Sequence, residues 1–393
     1  MTARPARIIC LENMPYRWPI RVGSHHYADR FAERYEVLWI SLPWHLPQVL
    51  KGRNPRHRQF NGGRPVRQGR RLWSLTPFTF LPYRRSPGLG AGWIVDRYYD
   101  FLLPRMGPLL ARLGFDDVEL LWFSDPRHIS ILRHVRARKL AYRCVDDLEH
   151  FADVPASLLE RERRLIGASD AAFFTSPVLM DKFSADASKA VLLPNGVDFD
   201  FFDRPTSAEA LPERWRRLLD RDPARNVVYV GAIAEWFDFD AVALLARTFP
   251  ALRFILAGPR RVEAPAEMRA LPNVAMPGPI PYRALPNLLS RCGVGLAPFR
   301  VNRMTDAVSP IKLYEYFAAG LSVVSSGMKT VRQLASPAMI YNPGRVCDAL
   351  ERALAEQAAP SLRMRRKQFA RSNSWAARFA TICGALDLRG STG

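Results

Sequence analysis

The sequence lacks the usual marks of a disulfide scaffold, a zinc protein or a membrane span. Its five cysteines, Cys10, Cys144, Cys292, Cys347 and Cys383, lie far apart, and no Cys-x-x-Cys pair occurs. An odd and scattered set gives neither a disulfide framework nor a metal-ligand cluster, and it fits a reducing cytosol. No run of about 18 apolar residues is present, so no bilayer-spanning helix is expected. The longest candidate, Val37 to Leu50, is interrupted by two prolines, a histidine and a glutamine. Met1 to Cys10 has no long apolar segment and no small-residue cleavage site, so a secretory signal is not expected there. Short repeats and low-complexity tracts are also missing. The most local lack is of acid: between Val37 and Val95 there is no Asp or Glu.

What remains is an ordinary globular composition with an unusual charge. Apolar residues make up 48% and charged residues 24% of the chain, which argues against a disordered or fibrous protein. At 393 residues the chain exceeds one compact core, so two domains are expected. The 57 Lys and Arg against 37 Asp and Glu give a net charge of +20. Such a balance predicts attraction to nucleic acid, to anionic lipid headgroups or to phosphorylated substrates, and is silent on fold.

Short apolar runs alternate with longer amphipathic stretches, the pattern of βαβ units and parallel sheets. Strands are expected at 6–11, 36–42, 118–123, 140–145, 171–175 and 190–193, with helices at 22–34, 92–113 and 158–168. A segment rich in Pro, Arg and Glu comes next, from Phe202 to Arg225, and the pattern then restarts. Strands are expected at 227–230, 254–257, 274–276, 293–297 and 321–325, and helices at 240–248, 282–290, 311–319 and 346–356. The fold class is α/β, with one Rossmann-like domain over 1–203 and a second over 204–371. A last helix, 372–386, is expected to pack back on the first domain. Ligands of such sheets bind beyond the carboxyl ends of the strands, which directs attention to the loops after them.

Two strand ends in the second domain run into glycine: Val228-Tyr229-Val230-Gly231-Ala232 and Leu256-Ala257-Gly258-Pro259. A glycine there lets the backbone approach a phosphate and present N–H groups to it. A more specific segment is Ser309-Pro310-Ile311-Lys312-Leu313-Tyr314-Glu315, closed by Gly320. Proline at its start and glycine at its end delimit a helix. Lys312 falls in the first turn, beside free N–H groups and the positive dipole end, where a diphosphate would bind. Glu315 lies three residues on, near the same face, and suits ribose hydroxyls. The plain structural reading is a solvated Lys–Glu pair.

With these residues the second domain resembles the donor domain of GT-B glycosyltransferases of the broad group around glycosyltransferase family 4. In that group a Pro-x-Lys-x-x-Glu helix start binds the nucleotide sugar, and Pro310, Lys312 and Glu315 match it. Ser176-Pro177-Val178-Leu179 and Leu193-Pro194-Asn195-Gly196-Val197-Asp198 resemble further segments of the group. The resemblance covers about residues 110–335. It implies two Rossmann-like domains facing each other across a cleft, the first for the acceptor and the second for a nucleoside-diphosphate sugar, with a UDP-sugar favoured. Donor contacts are then expected from Gly231, Ala232, Gly258, Phe299, Ser309, Pro310, Ile311, Lys312 and Glu315, with no cofactor and no bound metal.

Tyr142-Arg143-Cys144-Val145-Asp146-Asp147 places two carboxylates at the end of a buried strand. Inverting transfer needs one carboxylate to remove the acceptor proton. The segment resembles the Tyr-Arg-x-x-Asp stretch of bacterial xanthan-type glucuronosyltransferases, and the chain also resembles teichuronic-acid-type glycosyltransferases. By the first match Asp146 is the base, and Asp147 is expected to cap the next segment; that both only cap is the bland reading. Retaining members of the broader group carry a Glu-x7-Glu pair, whose first position here is Ala307, with Asp306 beside it. Asp198-Phe199-Asp200 and Asp238-Phe239-Asp240 mimic a metal-binding Asp-x-Asp, but their places favour capping and turn roles. His25 and His26 stand early in the first helix and are the candidate acceptor contacts.

The acid-free block holds Lys51, Arg53, Arg56, Arg58, Arg64, Arg67, Arg70, Arg71, Arg84 and Arg85 among Trp39, Trp44, Trp73, Phe78, Phe80 and Tyr83. Basic residues with interfacial aromatics suit an anionic bilayer. A second cluster runs from Arg363 to Arg371. No nucleic-acid-binding motif accompanies the charge, so no specific nucleic acid is expected. The expected function is sugar transfer to a membrane-associated lipid-linked saccharide or polysaccharide, with inversion, by a cytoplasmic protein peripheral on the inner face of the plasma membrane. The alternatives are a retaining hexosyltransferase on the same fold, and a non-catalytic basic adaptor that binds membrane or nucleic acid.

Overall fold

A computed structural model describes residues 6–388 apart from 19–20, 52–60, 82–91, 152–153 and 205–210. Arg53, Arg56, Arg58, Tyr83, Arg84 and Arg85 of the basic block therefore lie outside the described residues. The chain divides into two compact units, residues 1–193 with 379–393, and residues 194–378.

Unit 1 is built on β1 (Arg7–Glu12), β2 (Glu36–Ser41), β3 (Leu72–Leu75), β4 (Asp117–Phe123), β5 (Arg136–Cys144), β6 (Ala171–Phe174) and β7 (Ala190–Leu192). They form one sheet in the order β7-β6-β5-β4-β1-β2-β3, all parallel, with the two-residue strand Val66–Arg67 added antiparallel at the edge. Such strands are buried on both faces, which explains their near-continuous apolar runs: Ile8, Ile9, Val37, Leu38, Trp39, Ile40, Leu120, Leu121 and Trp122 are all fully buried. Trp39, read as interfacial, is instead core, and its indole N–H donates to the Met14 carbonyl at 2.9 Å.

Helix α1 (Gly23–Phe31) buries Tyr27, Ala28 and Phe31. The single helix expected over 92–113 is broken into Gly92–Val95, a 3-10 turn at Tyr98–Phe101 and α2 (Met106–Leu113). Pro104 explains the second break, before α2, since its ring clashes with the preceding turn and its nitrogen has no hydrogen to donate. Helix α3 (Ala156–Ala168) comes after β5, and α4 (Pro177–Phe183) after β6.

Unit 2 comprises β8 (Asn226–Val230), α5 (Phe239–Thr248), β9 (Arg253–Ala257), β10 (Val274–Gly278), β11 (Val294–Ala297), α6 (Ile311–Ala318), β12 (Ser322–Ser326), β13 (Met339–Tyr341), α7 (Val346–Glu356) and α8 (Pro360–Ser372). The sheet order is β10-β9-β8-β11-β12-β13, all parallel, which is the doubly wound Rossmann order. One apolar cluster covers each face: Leu313, Tyr316, Phe317 and Val323 on one side, Phe239, Val242, Leu245 and Leu350 on the other.

The units divide between Leu193 and Pro194, ahead of the 203/204 boundary. The reason is local: the Asn195 amide N–H donates to Ser309 Oγ at 3.1 Å, its side-chain amide donates to the Ser309 carbonyl at 2.7 Å, and Val197 pairs with Ser374. Helix α9 (Trp375–Ala385) begins in unit 2, and from Phe379 onward belongs to unit 1. There Phe379 packs edge-on against Phe31, and Lys189 Nζ donates to the Ala385 carbonyl at 2.7 Å.

Candidate active site

In unit 1 the strand order reverses between β1 and β4, and the loops beyond their carboxyl ends diverge there. A pocket of about 720 Å³ opens at that point, lined by Asn13 after β1, Ser124 to Arg127 after β4, and Tyr142, Val145 and Asp146 at the end of β5. Asp146 is thus brought into a concave site at the switch point. It is exposed to solvent there, whereas Asp147 is half-buried. Desolvation by the surrounding protein raises the Asp146 carboxyl above the usual aspartate range, and the Arg143 guanidinium draws it partly back.

Asp147 does what its position predicts. Its carboxylate accepts the Glu149 N–H at 3.2 Å as a cap, and Lys182 Nζ pairs with it at 2.7 Å. The two adjacent acids are therefore separated by role, one engaged in the fold and one facing the pocket.

Beneath the pocket lies a carboxyl that sequence reasoning missed. Glu12, the last residue of β1, is 2% exposed and accepts the Ser124 hydroxyl at 2.9 Å. Burial pushes it up to about 7, against the hydrogen bonds from Ser24 and Ser124 and the charge of Arg143. Its backbone carbonyl receives His128 Nε2–H at 2.9 Å, and the Tyr99 hydroxyl donates to His128 Nδ1 at 2.7 Å. Burial lowers His128 to about 4, which keeps the ring neutral for this tautomer. A second buried acid, Glu162 of α3, accepts the Tyr142 hydroxyl at 2.6 Å, and burial raises it to about 7. Asp125 is pushed up by burial, but the Arg127 guanidinium, 2.8 Å away at Nε, outweighs this and leaves it below the ordinary range.

The two histidines are placed differently from each other. His25 is fully buried; its Nδ1 accepts the Val22 N–H at 3.2 Å and its Nε2 meets the Tyr16 carbonyl at 3.1 Å. With both nitrogens engaged, and burial lowering it to about 4, His25 holds the start of α1 and offers no atom to an acceptor. His26 is half-buried, and burial lowers it to about 3.

In unit 2 the switch point lies between β8 and β11; Gly231 directly follows the first, and Phe299 follows the second after Pro298. Gly231 N–H donates to the Ala257 carbonyl at 2.9 Å. A Cβ at Gly258, where φ is +154°, would lie 1.7 Å from the Gly231 carbonyl oxygen. The two glycines therefore serve first to bring two strand ends together. Ala232 receives the Tyr229 hydroxyl on its carbonyl at 2.8 Å. Phe299 is half-buried, edge-on to Tyr229 at 6.2 Å, and its N–H donates to Ser326 Oγ at 3.3 Å.

Helix α6 starts where its sequence directs, with Pro310 as the N-cap and Ile311, half-buried, as the first helical residue. The Val230 N–H donates to the Tyr316 hydroxyl at 2.8 Å, which ties the helix to the end of β8. Ser309 is buried and occupied by Asn195. Lys312 Nζ sits 2.7 Å from Glu315 Oε2; the lysine side chain is 25% exposed and the glutamate 5%. This pair is not a fully solvated one: its acid is buried and its ammonium stands at the helix N-terminus. The Asp306 carboxylate accepts the Lys329 N–H at 2.7 Å and is engaged in the fold. Asp198 and Asp238 cap the helices that start after them, as their places predicted. Among the described residues no group of three His, Cys, Asp or Glu could hold a metal ion.

Residues 224–359 match the family described as Glycosyl transferases group 1. A candidate teichuronic acid biosynthesis glycosyltransferase of Bacillus subtilis is 25% identical over 234 residues, which covers 56% of this chain and 57% of that protein. The match thus spans little more than half of either. Among solved structures, sucrose-phosphate synthase from Thermosynechococcus elongatus superposes with a TM-score of 0.70 at 14% identity, covering 97% of this chain and 98% of that one. An Anabaena protein in complex with UDP and glucose does so with a TM-score of 0.61 at 14% identity, covering 98% and 100%. The chain therefore has the GT-B fold of two Rossmann-like sheets, and its residues 224–359 are similar to the glycosyl transferases group 1 family.

Proposed function

We propose that this protein is a glycosyltransferase that moves a sugar from a nucleoside-diphosphate sugar, with UDP favoured, to a membrane-associated lipid-linked saccharide or polysaccharide. The observation that carries the reading is Asp146, a carboxyl raised above its ordinary range and open in a pocket at the switch point of unit 1. A base of that kind accepts the acceptor hydroxyl's proton as the oxygen attacks the anomeric carbon, while the bond to the diphosphate breaks and its electron pair leaves with the phosphate. Lys312, at the start of α6, offsets the charge of the leaving diphosphate, and Glu315 takes ribose hydroxyls. No metal is needed in this scheme.

Transfer with inversion is supported by the residues before α6. The position eight before Glu315 is Ala307, and the neighbouring Asp306 is committed to the Lys329 N–H, so neither is a second acid for a retaining pair. UDP is supported by the Anabaena complex, and an envelope polysaccharide by the name of the Bacillus relative. The membrane is supported by exposed Lys51, Arg64, Arg67 and Arg70 together with exposed Leu50, Phe80 and Trp93 in the acid-free block. No described helix is long and apolar enough to cross a membrane.

A thermal-shift panel of UDP-, GDP- and dTDP-sugars identifies the donor. Asp146→Asn should then lower transfer by about 10³-fold while leaving the affinity for UDP unchanged. Substantial surviving transfer would remove Asp146 from the role of base. The anomeric configuration of the product decides between inversion and retention.

A further inference from the structure

The pocket that holds Asp146 has two linings of different chemistry, drawn from different elements. The loops after β1 and β4 contribute Asn13, Ser124 and the Asp125–Arg127 ion pair. The segment after β5 and the first turn of α3 contribute Leu148, Phe151, Val154, Pro155 and Leu158. Phe151 is 46% exposed, and Leu148, Val154 and Pro155 are half-buried, so this apolar surface is left unfilled by the protein itself.

A wholly hydrophilic acceptor would answer only one of these linings. Sugar hydroxyls find partners on Asn13 and Asp146, but none of the five apolar residues offers a side-chain donor or acceptor. One aromatic ring beside a sugar is common; an aromatic ring continued by four aliphatic side chains is a surface for hydrocarbon. It begins at Leu148, two residues beyond Asp146 in the chain, and lines the same pocket as that carboxylate.

We propose that this pocket is the acceptor site and that it takes a saccharide bearing an apolar aglycone. The sugar lies along Asn13, Ser124 and Asp146, and the aglycone along Leu148, Phe151, Val154 and Pro155. The assignment rests on the transferase reading and narrows it, since a free polysaccharide end has nothing to place on the apolar lining.

The test compares monosaccharides with their octyl glycosides, below the micellar concentration, as acceptors for the full-length protein and the donor found by thermal shift. The octyl glycoside of the accepted sugar should show a KM about tenfold or more below that of the free sugar. Phe151→Ser combined with Val154→Ser should bring the two within about threefold of each other by raising the KM of the octyl glycoside, with UDP affinity unchanged. Equal KM values in the unaltered protein, or a preference untouched by the double substitution, would overturn the assignment. In a protein that transfers nothing, saturation-transfer NMR with octyl glucoside and glucose makes the same comparison by binding. Failure of the donor reading and failure of this one are then separate results.

Discussion

Lys312 and Glu315 differ from an ordinary surface pair in what their removal disturbs. An ion pair with its ammonium partly exposed contributes about 0–1 kcal/mol to stability. A lysine at a helix N-terminus that meets a diphosphate contributes far more to binding than to folding. Lys312→Ala should leave the melting temperature within about 2 °C of the unaltered protein and weaken UDP binding about tenfold or more, as read by calorimetry. A lowered melting temperature with unchanged UDP affinity would make the pair structural. At this scale the second unit was readable because its signal is short-range: a proline, a lysine and a glutamate within six residues define one helix start. Glu12 was not readable, since a lone glutamate ending a strand has no spacing partner. Ser124, which gives it a role, arrives only when β1 and β4 pair. His25 shows the opposite failure: a histidine in an amphipathic helix resembles a ligand until both its nitrogens are seen to be engaged.

Most sheet strands were visible as apolar runs, and α7 begins and ends where its pattern predicts. The exceptions have physical causes. β3 and β13 are short runs set between Arg71 and Pro77 and between Pro337 and Pro343, neighbours that read as loop. Helix α8, with the sequence PSLRMRRKQFARS, read only as a basic cluster because its buried face includes an arginine. Arg366 is 2% exposed; its Nε–H donates to the Gly320 carbonyl at 3.2 Å and its Nη2 to the Gln357 carbonyl at 3.3 Å. It therefore closes the C-terminal end of α6, where carbonyls lack intrahelical partners and a cation is favourable. Lys367 pairs with Asp203, and Arg371 lies over Phe199, so the cluster is largely spent inside unit 2. Arg366→Ala should cost about 2–4 kcal/mol in denaturant unfolding, whereas Arg365→Ala, at an exposed position, should stay within about 0.5 kcal/mol. Equal effects of the two substitutions would remove Arg366 from its capping role.

At the scale of the whole molecule, the response to acid is set within unit 1 rather than by the +20 net charge. All histidines and carboxyls with resolved shifts, among the described residues, belong to that unit. They act in opposite directions. His25 and His128 fall from an ordinary 6.5 to about 4. Between those values the unfolded chain binds more protons, so the stability these residues give is complete above 6.5 and is lost as pH falls toward 4. Glu12 and Glu162 rise from 4.5 to about 7. Between those values the folded chain binds more protons, so acidification from 7 to 4.5 favours folding. Each such group is worth about 3 kcal/mol across its window. Three lowered histidines, His26 among them, stand against two raised glutamates, so the glutamate gain offsets only part of the histidine loss between pH 6.5 and 4.5; at lower pH the histidine loss continues, and the lowered Asp96 and Asp125 add to it. Glu162→Gln retains an acceptor for the Tyr142 hydroxyl and removes one titrating carboxyl. On acidification from pH 7.5 to 5 the variant should therefore lose about 2–3 kcal/mol relative to the unaltered protein. Hydrogen exchange of the β4 and β5 amides reads this within unit 1. Parallel pH profiles for the two proteins would show that Glu162 keeps the same proton occupancy folded and unfolded, and would place the acid response of unit 1 elsewhere.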